Sequence, residues 1–301
     1  MVNSSPKKRA RFVQWLRERA YRTLFAISPA LTFQVMKRVS KNCCENWGHR
    51  TRQVLACPDN AYIKRVPEAG EIRGDFQIMH NGLKVLLGSY YGKDSVRLLK
   101  KNRGVHEPQE ERIFQEVLRQ IAPGSVMIEL GAYWGYYSMW FCREVPNARA
   151  YLVEPAEQNL EFGKRNFAAN SLAFAHFTQA WIGQKSGVAD DGHPVVCVDD
   201  FVADQKIQHV AILHSDIQGF EVEMLKGSRS TIIAGKISYC FISTHSVELH
   251  TACETLLREH GFEVFASISP PESYSVDGIL AGRWPSAAAI PPMTISRRTH
   301  P

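Results

Sequence analysis

The sequence predicts an α/β fold in which a mainly parallel sheet is covered by helices on both faces. Three observations carry that prediction. Residues 125–154 hold a strand, a turn over Gly131 and Gly135, an apolar helix and a second strand, and the two strands end in Glu129 and Glu154. Strand-like apolar runs then alternate with helical stretches as far as residue 268, the order that gives a parallel sheet covered on both sides. A last pair of strands, 262–268 and 278–282, has no helix between its members and predicts an antiparallel hairpin at one edge.

The elements follow in chain order. Residues 1–60 read as a basic helical extension, interrupted at Pro29 and ending near Cys57-Pro58. Residues 61–104 read as a small cap, where Asn81-Gly82 between two apolar runs predicts a β-hairpin. Helix 107–121 opens with Pro108 in its first turn, and Glu107, Glu110 and Glu111 suit the positive end of its dipole. Over residues 105–283 strands are expected at 125–130, 148–154, 174–181, 194–198, 209–215 and 236–243, before the closing pair. Helices are expected at 135–143, 156–169, 219–228 and 247–260. The proline-containing tail 284–301 is expected to be irregular.

Charge is unevenly spread. The chain carries +6, yet residues 1–53 hold twelve Lys/Arg against two Glu, so residues 54–301 are net negative at −4. The basic, amphipathic stretch around Phe12–Phe25 suits either a solvated face of a packed helix or an anionic membrane surface. On the charge split, residues 1–53 are expected to be dispensable for cofactor binding. Nucleic acid is set aside as a partner because no base-reading motif accompanies the charge. Seven scattered cysteines read as reduced thiols, which predicts a cytoplasmic protein, at most peripheral to the inner face of the membrane.

The unit at 125–154 calls for an adenosine-containing cofactor, because ligands of such sheets sit at the carboxyl ends of the strands. The dinucleotide fingerprint needs a glycine where Tyr133 stands, and no phosphate loop occurs anywhere in the chain. A bulky turn suits a ligand without a diphosphate, and S-adenosylmethionine has none. A plain crossover whose glycines serve only the turn is the alternative.

Four stretches, in order, carry a family resemblance. They are Glu129-Leu-Gly-Ala-Tyr-Trp-Gly-Tyr-Tyr-Ser138, Val153-Glu154-Pro155, Leu213-His-Ser-Asp-Ile-Gln-Gly-Phe-Glu221 followed by Met224-Leu-Lys-Gly227, and Ser243-Thr-His-Ser246. From about His106 to Arg283 the sequence resembles the FkbM family of S-adenosylmethionine-dependent methyltransferases, with departures at Ala132-Tyr133-Trp134 and at His214. The resemblance implies a Rossmann-like class I methyltransferase fold with a seven-stranded sheet. It also implies O-methylation of a carbohydrate or other small metabolite.

On this reading Glu154 takes the ribose hydroxyls and Glu129 the ammonium end of the methionine. Gly131, Ala132, Tyr133, Gly135, Tyr137 and Ser138 form the turn around the cofactor. The aromatic rings of Tyr133, Trp134, Tyr136 and Tyr137 are candidates to face the sulfonium. Asp199 or Asp200 is a candidate for the adenine amino group, and Asp216 for the cofactor or the chemistry. A hydroxyl acceptor wants a base. His245 follows the strand ending at Ser243 and Asp216 ends the neighbouring one, so the two are expected to converge, with Glu221 nearby. That pair suits either a base with an orienting carboxylate or a hard divalent metal such as magnesium. A histidine that merely caps helix 247–260 is the alternative for His245. Residues 272–277 are a candidate acceptor loop, with Asp277 either a ligand or a turn residue. N-methylation, a nicotinamide-dependent oxidoreductase and a non-catalytic membrane-associated adapter are the rival functions.

Overall fold

The computed structural model describes residues 47–190 and 192–299. Its centre is a seven-stranded sheet built from β4 (Val126–Leu130), β5 (Arg149–Val153), β6 (Ala175–Thr178), β10 (Val210–Ser215), β11 (Ile237–Thr244), β12 (Glu263–Ile268) and β13 (Gly278–Arg283). The strand order is β12-β13-β11-β10-β4-β5-β6. β13 lies antiparallel between β11 and β12, and the β11, β10, β4, β5 and β6 pairings are all parallel. The antiparallel hairpin therefore closes one edge, with its second strand inserted inward.

Side chains alternate across a strand, so one strand feeds two cores. Met127 and Ile212 join the core under α1 (Trp47–Ala56), α2 (Lys93–Lys101), α3 (Pro108–Leu118) and α4 (Tyr136–Glu144). Val126, Ile128, Leu130 and Leu213 join the other, under α6 (Val198–Asp204), α7 (Glu221–Lys226), α8 (Arg229–Ile233) and α9 (Val247–Glu259). β4 and β10 are buried along their whole length, which is why they read as unbroken apolar runs.

The cap forms as expected and gains a strand: β1 (Ile72–Arg73), β2 (Phe76–Ile78) and β3 (Lys84–Leu86) make an antiparallel sheet. Its turn closes through the Gly82 N–H on the Met79 carbonyl at 2.9 Å, with Gly82 at φ +84°. Asn166 of α5 (Glu157–Ala169) and Asn170, which caps its C-terminus, accept the Leu86 and Lys84 N–H groups at 2.8 Å each and fix the hairpin to the main domain.

Three expectations change. The strand foreseen at 174–181 divides, and β7 (Trp181–Ile182) leaves to join β8 (Gly187–Val188) and β9 (Pro194–Val196) in a small separate sheet. The stretch after β9 turns helical at Val198 and forms α6. The part of the basic extension that is described, α1, is no appendage: Val54 is fully buried and Trp47 nearly so, both in the main core. The amphipathic stretch around residues 12–25 lies outside the described residues. Residues 284–299 form no helix or strand, as expected, but they are anchored: Asp59 accepts the Ser296 N–H at 3.0 Å and Gln109 donates to the Ser296 carbonyl at 2.7 Å. Among the described residues no helix is long and apolar enough to cross a membrane.

Candidate active site

β4 and β10 bring the glycine turn and Asp216 together. Gly131 sits at φ +71°, and a Cβ on it would lie 1.8 Å from the Asp216 carbonyl oxygen, so no side chain fits there. The Asp216 N–H donates to the Leu130 carbonyl at 2.9 Å, and the Gly131 and Ala132 N–H groups donate to Val153 at 2.8 and 3.1 Å. Tyr133 holds a left-handed conformation (φ +45°) that a tyrosine seldom adopts. Glu154 compensates by accepting the Tyr133 N–H on Oε2 at 3.1 Å.

Glu154 is therefore busier than its expected role requires. Its Oε1 also accepts from the Ala156 N–H at 2.9 Å and from Asn159 Nδ2 at 3.1 Å. A carboxylate offers about four acceptor positions, so Oε2 keeps one open toward the cleft. Burial raises the Glu154 pKa above its ordinary value, against the hydrogen bonds it accepts.

A cleft opens beside this turn. Glu129, Gly131, Ala132, Tyr133, Tyr137, Glu154 and Asp216 of the expected set all line it. Gly135 and Ser138 do not. Gly135 takes φ +73° ahead of α4, and a Cβ there would press on Leu152 at 3.0 Å; Ser138 is fully buried and its N–H donates to Glu129 Oε2 at 3.0 Å. Both shape the turn from behind. Tyr136 is likewise enclosed, between His80 and Trp140.

The cap supplies the opposite wall. Tyr90 stacks on Trp134 with centroids 4.6 Å apart, and the Tyr91 N–H donates to the Tyr133 hydroxyl at 3.2 Å. Open acceptors at Glu154 and Glu129 with aromatic faces between them match the hydroxyls, ammonium and sulfonium of S-adenosylmethionine in chemistry.

The floor of the cleft holds an ionic network that the sequence reading did not find. On α3, Glu107, Glu110 and Glu111 are all buried, and they meet histidines as well as the helix dipole. His106 contacts Glu111 at 2.6 Å and Glu107 at 3.2 Å; His80 contacts Glu111 at 3.1 Å. Arg50 donates to the Tyr90 hydroxyl at 3.0 Å and lies 3.6 Å from Glu107, which also accepts from Tyr137 at 3.0 Å. Burial opposes charge on His106, but Glu107 and Glu111 outweigh it and raise its pKa to about 10. Glu110 takes His214 Nε2 at 2.8 Å on one oxygen and the Ser243 hydroxyl at 3.3 Å on the other. The His214 pKa is raised in turn, Glu110 prevailing over burial.

His245 stands at the end of β11 among three carboxylates. Its Nδ1 lies 2.6 Å from Glu221 Oε1, and its Nε2 lies 3.2 Å from Asp216 Oδ1 and 3.6 Å from Asp277 Oδ1. Glu221 is wholly enclosed and also accepts the Gly219 N–H at 2.9 Å. The three residues expected to converge do so, and Asp277 joins them. His245 does not cap α9; the Ser246 hydroxyl does, accepting the Leu249 N–H at 3.1 Å. Burial pulls the His245 pKa down, but hydrogen bonds to Asp216 and Glu221 and the charge of Asp277 raise it to about 10. The Gln218 amide nitrogen also lies 3.1 Å from Nε2; the carboxylates around the ring favour its protonated form, where an ordinary histidine would titrate near 6.5.

Asp199 is not at the site. It accepts the Ser230 and Thr231 N–H groups at 3.0 and 2.8 Å and the Thr231 hydroxyl at 2.6 Å, tying α6 to the start of α8. Its place on a helix follows from the turn of the chain at Val198, so it is not the strand-tip residue expected to meet adenine. Nor is a magnesium site supported: among the described residues no group of three or more His, Cys, Asp or Glu is arranged to hold a metal ion.

Residues 131–264 match the family model described as the methyltransferase FkbM domain. No curated protein matches the sequence. Similar solved structures include a precorrin-6y C5,15-methyltransferase from Geobacter metallireducens GS-15, at 13% identity over 58% of this chain and 88% of that one, TM-score 0.41. M. capricolum TrmK in complex with S-adenosyl-homocysteine matches at 12% identity over 59% and 70%, TM-score 0.41. An rRNA methylase from Streptococcus thermophilus matches at 9% identity over 58% and 96%, TM-score 0.43. With an rRNA methylase among the similar structures, the exclusion of nucleic acid drawn from the sequence is withdrawn.

Proposed function

The FkbM domain at residues 131–264 makes this chain an S-adenosylmethionine-dependent methyltransferase, and we propose that it methylates a hydroxyl of a carbohydrate or other small metabolite. The observation that carries this reading is the gathering of His245, Asp216 and Glu221 at the strand ends beside the glycine turn. A hydroxyl must lose a proton as it is methylated, and the carboxylates gathered around His245 are a place for the proton to go. A neutral amine needs no such group for attack, so the cluster favours oxygen over nitrogen as the acceptor atom.

The bound cofactor supplies an electrophilic methyl with its own leaving group. The protein supplies position and charge. Glu154 holds the ribose end, Glu129 faces the ammonium end, and the Tyr90–Trp134 stack encloses the region between. Holding two reactants in line contributes on the order of 7–11 kcal/mol to a bimolecular transfer. Asp216 and His245 stand on the acceptor side, where Glu221 fixes the imidazole from below.

Two measurements test the reading. S-adenosylhomocysteine should raise the melting temperature, and NAD should not. Mass spectrometry after incubation with S-adenosylmethionine and a panel of glycosides, phenols, amines and a short RNA should find the methyl on oxygen of a small acceptor. Methyl on nitrogen alone, or on RNA alone, would overturn it.

A further inference from the structure

We propose that Asp277 is the group that receives the acceptor's proton, with His245 remaining protonated and holding Asp277 and Asp216 in place; this rests on the hydroxyl-methylation reading above. Strand register makes the pairing. Thr244 faces Gly278 across the β11–β13 ladder, so the residues one step further, His245 and Asp277, meet where the two strands part. Their Nε2 and Oδ1 atoms are 3.6 Å apart.

The backbone around Asp277 is fixed at a cost. Val276 takes φ +91°, a conformation that a β-branched residue adopts only when its surroundings impose it, at roughly 1–3 kcal/mol. Those surroundings are visible. Before it, Gln109 Oε1 accepts the Tyr274 N–H at 2.9 Å, and the Ser273 hydroxyl accepts the Ser275 N–H at 3.0 Å. After it, Gly278 is packed so closely that a Cβ would lie 2.6 Å from both Pro270 and Thr244. Val276 itself is exposed and fills no pocket. What the strained link achieves is the aim of the next side chain at the His245 cluster.

The charges that face Asp277 then set its affinity for a proton. Asp216 from the end of β10 and Glu107 from the start of α3 repel its negative form; His245 from β11 and Arg50 from α1 attract it. Burial and Asp216 prevail and raise its pKa to about 7. A carboxylate so placed takes a proton more readily than an ordinary aspartate, the property wanted of a base. His245, raised to about 10 by the carboxylates around it, favours its protonated form and is the poorer proton acceptor of the two.

The step balances without a further reagent. The acceptor oxygen forms a bond to the methyl carbon, the methyl–sulfur bond breaks with its electron pair going to sulfur, and the acceptor O–H bond breaks with its proton going to an Asp277 carboxylate oxygen. The charge lost by the sulfonium and the charge lost by Asp277 cancel.

The test uses the full chain with S-adenosylhomocysteine as probe and Asp277→Asn, Asp277→Glu and His245→Asn as variants. With no acceptor present, ¹³C-labelled aspartate should show one carboxyl titrating near 7 that is absent in Asp277→Asn, while the His245 ring does not titrate below pH 9. Asp277→Asn should keep the thermal shift given by S-adenosylhomocysteine. With methyl glycosides and phenols as acceptors it should lose 10²–10⁴-fold in kcat, Asp277→Glu should recover part of that, and the rise of wild-type kcat/KM through pH 7 should disappear. A histidine titrating near 6.5 beside an aspartate titrating near 4 would overturn the proposal. So would Asp277→Asn turning over within a few-fold of wild type at every pH. Transfer to amines alone would sink the hydroxyl reading, whereas the acceptor-free titration still decides where the proton-accepting group lies.

Discussion

The carbonyl oxygen of Asp216 lies 1.8 Å from where a Cβ on Gly131 would be, so the glycine turn and the tip of β10 form one close-packed joint. Gly131→Ala has to push β4 and β10 apart and also strain a backbone at φ +71°. We expect a loss of at least about 1–3 kcal/mol in stability, with no thermal shift from S-adenosylhomocysteine. Denaturation of the variant with and without that ligand measures both.

Glu154→Ala removes the clamp on the Tyr133 N–H together with the ribose acceptor. S-adenosylhomocysteine at about a hundred times its dissociation constant adds roughly 2.7 kcal/mol to wild type, and the variant should lose most of that. The free protein should also be less stable than wild type, because Ala156 and Asn159 lose their acceptor. Calorimetric affinity equal to wild type would remove Glu154 from the ribose.

Glu221→Gln tests what keeps His245 charged. Burial opposes ionisation of Glu221, yet the hydrogen bonds from His245 and the Gly219 N–H hold its pKa below the ordinary value. Without the negative charge, the His245 pKa should fall from about 10 toward neutrality. NMR titration of the ring reports this directly, and an unchanged titration would assign the shift to Asp216 and Asp277 alone.

The network under the cleft makes stability depend on pH in a definite direction. The His106 pKa is raised from 6.5 to about 10, so its contribution is complete below pH 6.5 and drains away as pH rises toward 10. Those of Glu107 and Glu111 are lowered from 4.5, so theirs is complete above pH 4.5 and is lost under acid. Wild type should therefore be more stable at pH 6 than at pH 9. His106→Gln should be destabilised by about 3–5 kcal/mol at pH 6 and lose most of that difference, as urea denaturation at the two pH values will show.

Truncation separates the described part of the N-terminal region from the rest. A chain lacking residues 1–58 loses Trp47, Arg50 and Val54 and with them part of the main core and the partner of Tyr90. It should not show a cooperative melt. A chain lacking residues 1–46 retains all of these and should keep both its melt and its response to S-adenosylhomocysteine.

What the sequence made legible was whatever is local and periodic. β4 and β5 end in acids, and the glycines of the turn sit where positive φ is needed, so Gly131, Glu129 and Glu154 could be placed from spacing alone. α6 was missed because Val195, Val196, Cys197 and Val198 run on without a break, hiding a strand end inside an apolar stretch. Asp199 was misassigned for the same reason. The α3 acids were read only against the helix dipole because two of their partners, His80 and His214, lie far off in sequence. A signal was present, however: Glu110 shares the helical stripe of Phe114, Val117 and Leu118, all buried, and an acid on a buried stripe needs a partner. Asp277 was left open between ligand and turn residue because cross-strand position depends on β13 inserting beside β11, which no short-range pattern announces.

Gln109 is wholly enclosed and works in two directions at once. Its carbonyl oxygen holds the loop that carries Asp277, and its amide nitrogen holds the Ser296 carbonyl in the tail. A stretch without regular structure near the C-terminus is thereby wired to the loop of residues 273–277 through a single amide. Deletions, fusions or ligands that shift residues around 296 should therefore move the loop that carries Asp277, and libraries randomised only around the cleft would pass over this link.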